Sequence, residues 1–206
     1  MRISHRSLEA IRRNPTLIFE LGKGQRGSNS IARNWEYKLK PFHVSGVPIG
    51  QVANNFEAYC VGAFRDTKAN LLKIGELYYR YPKYESDYQQ QNFVFQDFHK
   101  NIRFNIAGDF ILSGEVFRID RTRNGGYAIT LMWKNQESDI WAHELRFPVL
   151  QKLFADEFGV STGKVKVGIF DFENVAHEYI TFGKEAIEGA MSELHNIIEE
   201  IGKVAL

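Results

Sequence analysis

The stretch Phe110-Ile111-Leu112-Ser113-Gly114-Glu115-Val116-Phe117-Arg118-Ile119-Asp120 decides the fold, together with the turn Arg123-Asn124-Gly125-Gly126 and the return Tyr127-Ala128-Ile129-Thr130-Leu131-Met132-Trp133-Lys134. The first segment alternates as a half-buried strand does. The Asn-Gly pair accepts the left-handed backbone of a tight hairpin. The last segment therefore reads as an antiparallel return strand. Side chains two apart on a strand share a face, so Glu115 accompanies Phe117. The hairpin is expected to direct Phe117 and Met132 towards one shared site, with Lys134 on the same face.

Working outward, residues 93–106 contain extended, alternating stretches, and Gly108-Asp109 marks a turn into the hairpin. Three antiparallel strands follow one another. After them Leu145, Val149, Leu150, Leu153 and Phe154 predict a helix between about 142 and 158, with Pro148 in its first turn or at a kink. A strand is expected over 165–172 and a partner over 178–181. Ile187, Ala190, Met191, Leu194, Ile197, Ile198 and Ile201 form the stripe of a closing helix.

Upstream, Ser4 caps a short helix carrying Leu8 and Ile11, which Asn14-Pro15 ends. Residues 31–40 read as a helix with Trp35 and Leu39 on one face, broken at Pro41 and again by 45–48. From Val52, helical spacing runs through Phe56, Cys60 and Ala63 to Leu71, Ile74 and Tyr78, with an interruption near Gly62 or Gly75. Residues 79–91 read as a polar, tyrosine-rich connector. The fold class is α+β (mixed α/β), a central sheet with antiparallel hairpin strands flanked by helices. One domain is expected, with 1–92 mainly helical and 93–206 holding the sheet and the closing helix.

The chain has 206 residues, 44% of them apolar and 25% charged, which suits a packed globular domain and excludes wholesale disorder. A single cysteine, Cys60, excludes a disulfide framework and a multi-thiolate metal site built by this chain alone. Ala58 to Val61 is the longest apolar run, too short for a bilayer. The first residues lack the apolar core of a signal peptide, so a cytoplasmic, soluble protein is expected.

The net charge of +1 hides an asymmetry. Residues 1–40 carry a net +6 and residues 171–206 a net −6. Either Arg12, Arg13, Lys23 and Arg26 offer a basic face to nucleic-acid phosphates, or the two ends meet or lie in solvent. Gly22-Lys23-Gly24-Gln25-Arg26-Gly27 matches a dinucleotide fingerprint literally, but no acidic residue stands between Glu36 and Glu57 to hold a ribose. A flexible basic loop is the simpler reading. The six histidines show no metal-site spacing, and no serine-hydrolase elbow exists. The aromatic-rich region 78–98, with Arg80 and Lys83 interleaved, could stack on bases, although a buried strand and core use the same residues.

Several stretches taken together resemble the RecB-like branch of the PD-(D/E)XK nuclease superfamily, which includes CRISPR-associated exonucleases. Ser4 to Pro15 resembles that group's opening. Gly50-Gln51-Val52-Ala53-Asn54 resembles its G-x-x-x-H step, and Gly114 to Ile119 its G-x-x-D-R-I strand. Leu131-Met132-Trp133-Lys134 stands at its (D/E)-x-K strand, and Gln151 to Ala155 at the helix that follows. The resemblance implies a restriction-endonuclease-like core. It also places Asn54, Phe117 and Met132 where that family carries its metal-binding His, Asp and second carboxylate. Lys134 alone survives, and Asn14 stands where some members have a cluster cysteine.

Magnesium requires oxygen ligands, which Phe and Met do not supply. The resemblance therefore implies a degenerate site, no confident catalytic residue and no cofactor. Mg²⁺ enters only if acids such as Glu115 and Glu57 compensate; the simpler role for Glu115 is an ion pair with Lys134. The expected function is a catalytically inactive nuclease-like subunit that binds nucleic acid or scaffolds a processing or defence assembly. An active metal-dependent DNA nuclease with a displaced site, or a protein–protein adaptor or inhibitor, are the alternatives. Nucleic acid, a protein subunit or both are the expected partners, with no membrane.

Overall fold

The computed structural model describes residues 1–21, 30–134 and 138–204. Among them, six strands build one mixed sheet: β1 (Arg2–Ser4), β2 (Val94–Ala107), β3 (Phe110–Arg121), β4 (Tyr127–Trp133), β5 (Val165–Asp171) and β6 (Ala176–Ile180). The hairpin lies where the sequence placed it. Arg121 pairs with Tyr127, and the Thr122 amide donates to the Gly126 carbonyl at 2.9 Å. β2 runs antiparallel along β3 from Val94↔Arg121 to Ala107↔Phe110. β4 and β5 are parallel and need a crossover, which the helix α8 described below supplies. β6 returns antiparallel to β5.

β3 has two edges and three partners. β2 occupies one edge along the whole strand. β1 pairs in parallel with Ile111 to Ser113, and β4 pairs with Arg118 to Arg121. These two must share the other edge, and Gly114 to Phe117 lie between them. The sheet forks there. β1 was not foreseen, because three residues carry no readable periodicity.

Helices cover both faces. On one face α1 (Leu8–Arg13), α8 (Arg146–Phe158) and α9 (Lys184–Val204) bury Leu8, Ile11, Phe154, Leu194 and Ile198 against Val116, Ile129 and Ile169 of the sheet. The expected α9 stripe is thus the buried one. α2 (Ile18–Leu21) follows α1. The opposite face carries α3 (Ile31–Lys38), α4 (Lys40–Ser45), α5 (Ile49–Ala63), α6 (Lys68–Tyr78) and α7 (Arg80–Gln90). Trp35, Phe56, Leu77, Tyr81 and Tyr84 there meet Phe98, Phe117 and Phe170. The Trp35 indole donates to the Leu77 carbonyl at 2.9 Å, satisfying its one polar atom.

Two expectations give way. Residues 80–90 form α7 rather than a connector: Tyr81, Tyr84 and Tyr88 recur at helical spacing, and Pro82 falls in the first turn, where no amide is required. Pro41 likewise sits in the first turn of α4 instead of ending the helical region, and Gly46, at φ 64°, closes that helix. The helical run from Val52 is interrupted close to Gly62, one of the two expected places: α5 and α6 part over 64–67, with Thr67 capping α6 through the Asn70 amide at 3.2 Å. Pro148 lies in the first turn of α8 as expected. Among the described residues no helix is long and apolar enough to cross a membrane.

Candidate functional site

The fork is closed by the turn that follows β1. His5 crosses Gly114, where an added Cβ would lie 2.2 Å from the imidazole Cδ2, and Gly114 holds φ +147°. Only glycine satisfies both conditions. His5 Nε2 bonds the Glu115 carbonyl at 3.1 Å, replacing part of a missing strand ladder. Burial lowers the His5 pKa to about 4, so it is neutral near pH 7. Its Nδ1 has no hydrogen-bond partner among the described residues.

Beside this closure a cleft of about 300 Å³ opens at the C-terminal end of β4. Arg6, Glu36, Met132, Trp133, Lys134, Glu144 and Arg146 line it. Buried Glu36, brought in by α3, forms an ion pair with Lys134. Lys134 Nζ also lies 5.5 Å from the Phe172 ring centre. Arg146 meets Glu144 at 2.5 Å and stacks over the Trp133 ring at 5.3 Å. Burial lowers the Arg146 pKa and raises that of Glu144. The buried Trp133 indole N–H has no hydrogen-bond partner among the described residues. The cleft therefore offers donors to a ligand oxygen, with cations and carboxylates balanced around it.

The structure gathers only part of the proposed site. Phe117 is 2% exposed and packs against Phe98 at 5.0 Å and Phe170 at 6.0 Å. Met132 packs against the same cluster, so Phe117, Met132 and Lys134 do share one side of the sheet. Asn54 does not join them: it is exposed on α5 and accepts the Tyr78 hydroxyl at 2.9 Å. Glu57 is exposed on the same helix. The ion pair expected between Glu115 and Lys134 is not formed. Glu115 meets His99 Nδ1 at 2.9 Å, which holds its carboxyl below the usual range, and Lys134 goes to Glu36. The reason is position: His99 lies on the neighbouring β2, two residues from Asn101, the register partner of Glu115, whereas Lys134 is past the end of β4.

These residues do not suit a magnesium ion. A phenyl ring and a thioether occupy the strand positions, and Asn54 stands elsewhere. Among the described residues no group of three His, Cys, Asp or Glu side chains could hold a metal. Cys60 is buried, and burial raises its pKa to about 11.

Of the basic candidates, Arg12 forms a two-point pair with Glu193 of α9, at 2.6 and 3.0 Å. The oppositely charged ends of the chain thus meet at this point. Arg13 is exposed. Lys23, Arg26 and the whole 22–27 glycine pattern lie outside the described residues. Asn14 caps the turn after α1, accepting the Thr16 amide at 3.1 Å. The tyrosines offered for stacking are divided: Tyr81 and Tyr84 are core, and Tyr79 is exposed.

Sequence reasoning missed a buried polar network around Arg118. Its guanidinium, fully buried, donates to Asp120 at 2.7 Å, to His177 Nε2 at 3.0 Å and to the Tyr84 hydroxyl. Tyr88 donates to Asp120 at 3.1 Å, and His177 Nδ1 meets Asp87. The Tyr84 hydroxyl is 2.6 Å from His43 Nε2. Burial, reinforced by Arg118, lowers the His177 pKa to about 4. The neutral ring then donates from Nδ1 and accepts at Nε2, as this geometry needs. Burial also raises the Asp120 carboxyl, which Arg118 opposes. An Arg in a strand next to a Phe gives no sign of inward placement; the tyrosine spacing of α7 was the usable signal.

No family model and no curated protein matches this chain. A solved structure described as a candidate exonuclease from Eubacterium rectale is similar in fold, with a TM-score of 0.53 and 13% identity over 98% of this chain and 80% of its own. A second, that of SSO0001, covers 93% of this chain and 84% of its own at 11% identity, and its TM-score of 0.36 carries no argument. The first likeness, with the forked six-stranded sheet between helical layers, supports a nuclease-like fold.

Proposed function

We propose that this chain is a nuclease-like domain of the PD-(D/E)XK type, RecB-like branch, that no longer cleaves, and that it binds nucleic acid or scaffolds a processing or defence assembly. One observation carries the reading. At the fork, the side chains on the strand positions are Phe117 and Met132, sunk in an aromatic cluster, and the surviving Lys134 is engaged by Glu36. With a phenyl ring and a thioether at the two strand positions, the strands offer no oxygen ligand with which this lysine could share a hard cation. Arg13, Lys23 and Arg26 remain the proposed phosphate contacts. Arg12 is committed to Glu193, which favours a smaller basic face than the charge count suggested.

Single- and double-stranded DNA incubated with the purified protein and Mg²⁺ or Mn²⁺ should stay intact. Cleavage that vanishes in Glu36→Gln or Glu115→Gln would establish a displaced active site instead. Binding is tested by titration at two salt concentrations. Phosphate contacts release counterions, with a log–log slope of about −0.7 to −0.9 each. Reversing Arg13, Lys23 and Arg26 together should flatten that slope and leave sequence preference unchanged. Equal, salt-insensitive binding by both proteins leaves the scaffolding role.

A further inference from the structure

α6 is apolar on two sides. Its inner side buries Ile74 and Leu77. Its outer side leaves Leu71 47%, Leu72 66% and Tyr79 74% exposed. With Lys68, Gly75 and Glu76 these residues line a shallow groove of about 580 Å³. Lys68, Leu72, Gly75 and Tyr79 recur at intervals of four, three and four, the seam spacing of paired helices. A helix apolar on opposite sides is one that is covered on both.

Gly75 adds an independent sign. Glycine inside a helix costs about 0.5–1 kcal/mol relative to alanine. A Cβ at Gly75 would meet nothing within 4 Å, so this chain's own packing gives no reason for glycine. A gap between Leu72 and Tyr79 is what the close approach of another helix uses.

The charges say which helix. Lys68 and Glu76 lie equally far on either side of Leu72, and Lys68 has no ion-pair partner among the described residues. A two-fold axis through Leu72 lays α6 antiparallel on its copy. Leu72 then meets Leu72, and each Lys68 meets the Glu76 of the other copy, a carboxylate that Lys73 and Arg80 of its own copy already engage at 3.2 and 2.6 Å. Such self-complementarity is the mark of an isologous interface, and an unrelated partner would not require it. We propose that this face of α6 is a homodimer surface. Taking roughly 150–250 Å² for a whole large side chain, the three apolar residues offer about 350 Å² per copy. With its charged rim the pair stands at the low end of specific interfaces, so the dimer is weak and concentration-dependent.

Sedimentation velocity of the full chain from micromolar to hundreds of micromolar tests this. The wild type should shift from monomer to dimer, and Leu72→Glu should raise Kd by about tenfold or more. Lys68→Glu alone and Glu76→Lys alone should each weaken association several-fold. An equimolar mixture of those two single variants should dimerise better than either, because both cross-pairs then become opposite in sign. All three substituted side chains are exposed, so circular dichroism should be unchanged throughout. A monomer at every concentration, a dimer indifferent to Leu72→Glu, or a mixture no better than its components would overturn the proposal.

Discussion

Arg118 is the residue on which the helical face of the sheet depends. It is fully buried, and its guanidinium links Asp120, His177 and Tyr84. Removing one partner of a buried ion pair leaves the other charge uncompensated, at a cost of about 3–5 kcal/mol. Arg118→Leu should lower the urea midpoint accordingly, and Arg118→Leu with Asp120→Leu should recover part of the loss. Acid acts on two buried imidazoles, His177 in this network and His5 at the fork. His5 and His177 hold pKa values of about 4, below the usual 6.5 of an imidazole, because burial disfavours their charge. Between those values the unfolded chain binds protons that the folded chain refuses, so stability is complete above about pH 6.5 and drains as pH falls towards 4. Up to about 3 kcal/mol per imidazole is at stake. Thermal unfolding followed from pH 7 to 4.5 should show a steep fall that His177→Gln makes shallower from a lower start. A flat profile for the wild type would contradict the buried, neutral rings. That Phe117 and Met132 offer no oxygen to a hard cation was legible in the sequence, because residue type alone decides it. The sequence hid the partners of Lys134 and Glu115, since Glu36 and His99 reach them through packing between elements and not through spacing.

Among elements, β5 shows how packing chooses residues. Val165, Val167 and Ile169 are buried towards α8, and Phe170 towards Trp35 and Tyr84. Gly168 stands between them because β6 passes close by: an added Cβ would lie 1.9 Å from the Glu178 carbonyl oxygen. Gly168→Ala should therefore displace β6 and cost about 1–3 kcal/mol. Hydrogen exchange should speed up in 176–180 ahead of the rest of the sheet, and uniform protection would refute this local account. The same elements show what the pattern could reveal. The hairpin at Asn124-Gly125 and the α9 stripe were readable because each obeys a single period over many residues. α7 was not, because its inward residues are tyrosines set among charges, so apolarity and polarity do not separate along it. β1 was too short to have a period at all.

At the scale of the molecule, the charge asymmetry of the sequence has a structural counterpart in one contact. Arg12 on α1 and Glu193 on α9 join segments 181 positions apart. Both side chains are more than a third exposed, so solvent screens the pair and it is worth about 0–1 kcal/mol. A double-mutant cycle with Arg12→Ala and Glu193→Ala should give a coupling of that size which shrinks in salt. A coupling above about 2 kcal/mol would mean the two ends are bound by more than this pair. The sheet's fork has a consequence for how the chain is made. β1 lies against Ile111 to Ser113, so the first strand finds its place only after some 110 further positions have been translated. At roughly 5–20 residues per second, the nascent N-terminal segment waits on the order of ten seconds on the ribosome. Its apolar residues Ile3, Leu8 and Ile11 stay uncovered throughout that interval, making them a natural stopping place for a cellular chaperone.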